Sequence, residues 1–292
     1  MAPAISIVTH FVPIAATGTG PDKKDFAAIM NVLAIIIARG GSQGLKNKHL
    51  LPLLGKPVIS YTLGHARASK RLTRIVVSSD SAPVRRLAER EFFETIARPA
   101  ELATADSSVQ DVLLHALRTV EGRSAFRAEA IALLYGNVPV RPAGVIDLAL
   151  TKLADTGCDS VRSFCPVGKY HPGWMARLDA DRIAPLHPGS IHRRQDLEAL
   201  YIHDGAVVAV SRAALLGAES DPNNPHAFFG SDRRAVVTEI GRTVEIDELR
   251  DLFWAEAVLR MQADERPFPS AEPAEPTAPA GSAKHSSNAR AA

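Results

Sequence analysis

Cysteine is nearly absent from this chain: 292 residues include only Cys158 and Cys165. Two are too few for a disulfide framework and wrongly spaced for a zinc site, so both are expected as free thiols in a reducing cytoplasm. No apolar run reaches the roughly 18 residues that a membrane-spanning helix needs, so no membrane partner is expected. Charge of one sign is lacking too, since 34 Lys and Arg against 32 Asp and Glu leave a formal +2. That balance offers no basic field for nucleic acid, and any phosphate recognition has to be local. None of the ten histidines stands in an HExxH or Cys/His metal spacing. The amino-terminal stretch has no basic n-region of a secretory signal. Because Met30 directly precedes the first strand-like run, residues 1–29 are expected to be a disordered or mis-called extension. Residues 264–292, rich in Pro, Ala, Glu and Ser, cannot offset the entropy of ordering and are expected to form a disordered tail.

What is present between those ends alternates strand and helix. Val32 to Ala38 reads as a buried strand, followed by an amphipathic helix from Pro57 to Arg67. Arg74 to Asp80 and Ala82 to Phe92 repeat the unit. Ser107 and Ser108 stand where they can cap a helix through Val112 to Val120. Ala130 to Tyr135 is the next strand, Pro142 is expected to open another helix, and Ser160 to Phe164 follows as strand. From Pro166 to Leu200 the periodicity weakens, which points to an excursion from the sheet, a lid or a dimer arm. Gly205 to Ser211, Ala235 to Ile240 and Thr243 to Asp247 read as strands, and a helix from Leu249 to Leu259 closes the domain, taken as 30–263. Repeated βα units argue for an α/β fold with a mostly parallel sheet covered on both faces, whose ligands bind beyond the carboxyl ends of the strands.

Residues 35–49, IIIARGGSQGLKNKH, lie at such an end. Gly40, Gly41 and Gly44 let backbone amides approach phosphate oxygens, while Arg39, Lys46 and Lys48 can neutralise charge that builds up as a phosphorus–oxygen bond breaks. The loop matches neither GxGxxG nor GxxxxGK[ST]. In Glu245-Ile246-Asp247 two carboxylates stand two apart in an expected strand, so they share a face, as a hard divalent cation on phosphate oxygens requires.

The longer string ARGGSQGLKNKHLLPLLGKPVISYT resembles the opening of the acylneuraminate cytidylyltransferases, the CMP-sialic acid synthetases, and more distantly the CMP-Kdo synthetases. The resemblance continues in RPAEL (98–102), LLYGNVPVR (133–141), RRQDLEALYIHDGAVVAV (193–210) and VEIDE (244–248), in family order. It implies a nucleotide-diphospho-sugar transferase-like sheet, Mg²⁺ held by Glu245 and Asp247, and a homodimer. It also implies the reaction, in which CTP and a sugar acid give a CMP-sugar and pyrophosphate. By the same resemblance Arg39, Lys48 and Asp247 are catalytic. Ala38, Arg39, Gly40, Gly41, Ser42, Gln43, Lys48, Arg98 and Ser108 are expected around the nucleotide, and Tyr135, Asn137, Arg194, Gln195, His203 and Asp204 around the sugar.

Departures from the family pattern concentrate on the sugar side. Gln43 replaces a loop lysine, Tyr135-Gly136 a Gln-Pro pair, Asn137 a threonine, and Glu245 an aspartate. Ile202 stands where the family has an arginine, so one cationic clamp for the acceptor is missing. Two alternatives stay open on the sequence: another nucleotide-sugar enzyme on the same sheet, and a non-catalytic nucleotide- or sugar-binding relative.

Overall fold

The apolar run before the glycine loop forms β1 (Val32–Ile37), buried along nearly its whole length. The computed structural model describes residues 30–41, 44–189 and 193–264; the extension 1–29, Ser42, Gln43, the Arg194 side chain and the tail after Asp264 lie outside the described residues. A short hairpin, β2 (Pro52–Leu53) and β3 (Lys56–Pro57), leads into α1 (Val58–Ala68). Then come β4 (Arg74–Ser79), α2 (Ala82–Arg90), β5 (Glu94–Ala97), α3 (Val109–Arg123), β6 (Ala130–Tyr135), α4 (Val145–Thr156) and β7 (Ser160–Pro166). The chain leaves the sheet for a second hairpin, β8 (Ala176–Asp179) and β9 (Arg182–Pro185), and returns through β10 (Tyr201–Ser211), α5 (Arg212–Gly217), β11 (Arg233–Val237) and α6 (Leu249–Ala263).

Seven strands make one sheet in the order β11-β7-β10-β6-β1-β4-β5. All run parallel except β10, which is antiparallel to both β6 and β7. One face packs α1, α2 and α4 through Ile59, Leu63, Val84, Ile146 and Leu150 against Ala34, Ile36 and Leu134. The other packs α3 and α5 through Leu113, Leu117 and Leu215 against Leu33, Ile35, Ile131 and Leu133. Burial on both faces is why these strands read as continuous apolar runs and not as alternations. Capping fixes where the helices begin: Ser81, Ser108 and Ser211 accept from the backbone N–H three residues on. Among the described residues no helix is long and apolar enough to cross a membrane.

Two local expectations are corrected. Pro142 does not open α4; Gly144 intervenes with φ +73°, a left-handed conformation that no helix interior accepts, and the helix starts at Val145. Thr243 to Asp247 is not a strand: it makes a single bridge, Val140 to Val244, plus the bond from Ile246 N to Asn137 O at 2.8 Å. Its partner segment contains Pro139, which has no N–H to continue a ladder. Within the stretch 166–200 the described residues include the hairpin β8–β9, which lies outside the main sheet and is exposed along both strands.

Candidate active site

Because β1, β4, β5 and β6 are parallel, the loops after them open at the same edge, and there they enclose a cleft of about 200 Å³. Its wall comprises Ile37, Arg39, Lys48, His49, Arg98, Leu102, Thr104, Ser107, Val109, Val112, Tyr135, Asn137 and Glu245. The glycine loop is tied down on both sides. Gly40 N donates to Asp80 Oδ1 at 2.8 Å, and the Arg39 guanidinium donates to the Thr104 carbonyl. Arg98, which is buried, donates to the Ser78 carbonyl at 2.8 Å. Burial lowers its pKa to about 10, Asp80 works against that shift and Arg39 adds to it. A cation in this position waits beneath the cleft floor for an anion.

Lys48 reaches across the mouth to Asp247, Nζ to Oδ1 at 2.6 Å. Asn137 sits between the carboxylates: its Nδ2 donates to Glu245 Oε1 at 3.1 Å, lies 3.4 Å from Asp247 Oδ1, and donates to the Ile246 carbonyl at 3.0 Å. Glu245 and Asp247 therefore converge through a shared amide, not through strand alternation. Burial raises the Glu245 pKa, the neighbouring Asp247 carboxylate raises it further, and the Asn137 bond, Lys48 and His203 oppose the rise. The donor set suits a hard cation, since Mg²⁺ characteristically takes one or two carboxylates and fills its shell with water and phosphate oxygens. Among the described residues no group of three or more His, Cys, Asp or Glu side chains could hold a metal unaided.

Two glycines are needed for these approaches. A Cβ on Gly44 would stand 2.8 Å from the Asp247 carbonyl oxygen, and one on Gly136 would meet His49 Cδ2 at 3.0 Å and the Ile37 carbonyl at 3.1 Å. Gly136 thus departs from the family pattern to make room for a buried histidine. His49 was not singled out in the sequence. Burial, Lys48 and Arg98 push its pKa down to about 3, so the ring is neutral, and its bond to the Arg39 backbone steadies the loop. Asp80 and Thr104 were missed as well, because only the sheet order brings them beside the loop. Arg141, fully buried, donates to the carbonyls of Tyr135, Val138 and Ala206 and to Thr62 Oγ1, and so holds the loop after β6 against β10.

The residues expected around the sugar do not all meet. Tyr135 and Asn137 line the cleft, and burial followed by Glu245 pushes the Tyr135 phenol up to about 12. His203 lies on β10, its Nδ1 donating to the Ser163 carbonyl at 2.8 Å, and its buried Nε2 has no partner among the described residues. Asp204 is turned away from the cleft. Its burial would raise its pKa, but bonds from Ser163, Thr238, the Ala206 backbone and Thr243 outweigh that and keep it below the usual carboxylate range. That corrects its expected role: it pins the irregular turn of β10 to the neighbouring segments. Ser108 is likewise spent on the fold, capping α3 and donating to Asp111 Oδ2, while its neighbour Ser107 lines the cleft. Gln195 is exposed in a short 3-10 turn before β10, away from the cleft wall. Cys158 and Cys165 are both free thiols.

A family model described as "Cytidylyltransferase" matches residues 33–233. The chain is 32% identical over 229 residues to an N-acylneuraminate cytidylyltransferase of Streptococcus agalactiae, an alignment covering 77% of this chain and 52% of that protein. It thus spans about half the length of that relative. It is 25% identical over 241 residues to a CMP-N,N'-diacetyllegionaminic acid synthase of Legionella pneumophila, covering 80% of this chain and 99% of that protein. Among solved structures, CMP:2-keto-3-deoxy-manno-octonic acid synthetase complexed with CTP shares the fold with TM-score 0.61 and 18% identity, over 80% of this chain and 99% of the other. The 4-diphosphocytidyl-2C-methyl-D-erythritol synthase of Anaerococcus prevotii shares it with TM-score 0.52 and 16% identity, over the same two shares.

Proposed function

This chain belongs to the cytidylyltransferase family, and on that premise we propose that it couples CTP to a sialic-acid-like 2-keto sugar acid, giving a CMP-sugar and pyrophosphate. The observation that carries this reading is the convergence of Arg39, Lys48, Arg98, Glu245 and Asn137 on one cleft beside the glycine loop, with Asp247 held at its mouth by Lys48. The apolar wall of Ile37, Leu102, Val109 and Val112 suits the cytosine ring, and the cations suit the triphosphate.

The anomeric oxygen attacks the α-phosphorus in line, the bond to the β-phosphate oxygen breaks, and pyrophosphate departs. Most of the acceleration comes from holding the two reactants in register and from fixed charge around the phosphates. Arg39 and Lys48 supply that charge. Glu245 and Asp247 would hold Mg²⁺, which when bound supplies further neutralisation of the triphosphate. We infer that His203, whose Nε2 has no partner among the described residues, takes up the proton of the attacking hydroxyl. We assign the protein to the cytoplasm and infer a homodimer, to which the hairpin β8–β9 offers Leu178 and Ile183, each more than 70% exposed.

A pyrophosphate-release assay with the four nucleoside triphosphates and a panel of eight- and nine-carbon keto-acids tests the reading. Release is expected with CTP alone and only when a sugar acid is present. Equal turnover of UTP or ATP, or release without any sugar, would overturn it.

A further inference from the structure

Leu133 on β6, Val208 on β10 and Arg162 on β7 are register partners across three neighbouring strands. Tyr135 and Phe164 lie two residues further along β6 and β7, and His203 is the register partner of Phe164. Side chains of register partners, and of residues two apart, share a face. Tyr135, Arg162, Phe164 and His203 therefore stand on the face that carries α3, the same face on which Ile37 and Tyr135 line the cleft. The same face of the sheet runs on past Tyr135 over β10 and β7, away from the glycine loop.

In that continuation Arg162 is anomalous. Its guanidinium carbon lies 4.2 Å from the centroid of the Phe229 ring and 5.0 Å from that of Phe164, a half-buried slot between two aromatics. Among the described residues it makes no hydrogen bond and no ion pair. A second arginine, Arg233, sits 5.8 Å from the same Phe229 ring. Half-buried guanidiniums are commonly matched to carboxylates or carbonyls, whose geometry suits their fork of donors. An independent sign of a vacancy of partners comes from His203, whose ring packs on Phe164 at 5.7 Å and whose buried Nε2 is also unmatched. Meanwhile Ile202, where the family carries its arginine, is more than half exposed and pairs with Cys165 at the outer end of β10.

We propose that Arg162 is the residue that selects the acceptor, its guanidinium binding the sugar carboxylate in the aromatic slot formed by Phe164 and Phe229. The cation that Ile202 fails to supply is provided from the adjacent strand. The planar face of the guanidinium rests on the rings, which leaves its edge donors for a bidentate carboxylate, and stacking fixes the fork before the substrate arrives. His203 then lies beside the same sugar, between its carboxylate anchor and the Glu245 end of the cleft. This assignment rests on the proposed cytidylyltransferase reading, but it makes a separate demand: that discrimination for a carboxylated acceptor resides in Arg162.

The test is a titration of the CTP-loaded full-length protein, and of its Arg162→Gln and Arg162→Lys variants, with N-acetylneuraminate and with its C1 carboxamide, alongside KM values for both substrates. In the parent protein the acid is expected to bind at least roughly 30-fold more tightly than the amide, the loss typical of removing one partner from a desolvated charge pair. Arg162→Gln is expected to erase that preference while leaving the KM for CTP within about twofold, and Arg162→Lys to restore part of it, since a point charge is kept and the fork is lost. A Gln variant that still prefers the acid overturns the assignment, as does a parent protein that binds acid and amide alike, or neither. Absence of CTP-dependent product despite acid-selective binding would instead remove the proposed reaction and leave Arg162 as the carboxylate anchor. Thermal melts of both variants separate lost recognition from lost folding.

Discussion

The two halves of the cleft are finished to different degrees. On the nucleotide side almost every polar group already has a partner: Gly40 with Asp80, Arg39 with Thr104, Arg98 with Ser78, Lys48 with Asp247. On the proposed acceptor side the Arg162 guanidinium and His203 Nε2 have no hydrogen-bond partner among the described residues. The first half is organised before any ligand arrives, so its charges stand ready for a phosphoryl-transfer transition state without rearranging. The second is left incomplete by the protein alone, in keeping with the proposal that the acceptor is recognised there. A preformed triphosphate cradle serves any acceptor, whereas the acceptor pocket has to differ from one sugar to the next.

Substitutions on either side sharpen or break this contrast. The largest effect is expected from Lys48→Ala, which should lower turnover by roughly 10²-fold or more with little change in melting temperature, because a fixed charge at the transition state is lost and no core contact is. Unchanged turnover in a rapid-quench assay would take Lys48 out of the mechanism. Next comes Asn137→Ala. Removing the amide that gathers Glu245 and Asp247 should weaken Mg²⁺ activation on the order of tenfold, read as a rightward shift of the metal titration. If the titration curve stays put, the two carboxylates do not act as a pair.

Glu245 lies at the seam between the halves and has a pH signature. Its pKa is raised in the folded protein, by burial first and by Asp247 second, so ionising it costs folding stability as pH rises from the unfolded carboxylate range through the folded value. Glu245→Gln should therefore melt higher than the parent at neutral pH, and the gain should vanish at pH values where both states of the parent are protonated. Melting curves that stay parallel across that range would contradict the burial argument. The smallest effect is expected from Ser108→Ala. Loss of the α3 cap should cost about 1 kcal/mol of stability in a denaturant titration and leave the KM for CTP unchanged. A tenfold rise in that KM would return Ser108 to the nucleotide site.

The nucleotide half was also the more legible in the sequence. Val32 to Ile37 is apolar without interruption because both faces of β1 are covered, and such a run ending in glycines announces a strand followed by a close-approach loop. Arg39 and Lys48 were identified on that basis and by resemblance, Arg98 by resemblance alone. His49, Asp80 and Thr104 were not, since a histidine in a basic loop and a polar residue after a strand carry no periodic signal. Strand order alone makes them neighbours. On the acceptor side Asp204 reads as a ligand next to His203, yet adjacent residues on a strand face opposite ways, and Asp204 is consumed by Thr238 and Thr243. Arg162 looked like any strand residue, because the aromatic that receives it, Phe229, lies 67 residues further along the chain.

The approach of Gly44 to the Asp247 carbonyl joins positions about two hundred residues apart. During synthesis the glycine loop emerges well before the carboxylates that complete its mouth and the helix α6 that braces them. A nascent chain halted before Glu245 has every strand of the main sheet and neither acidic ligand. On the proposed function, competence for catalysis therefore waits until after the sheet has been synthesised in full.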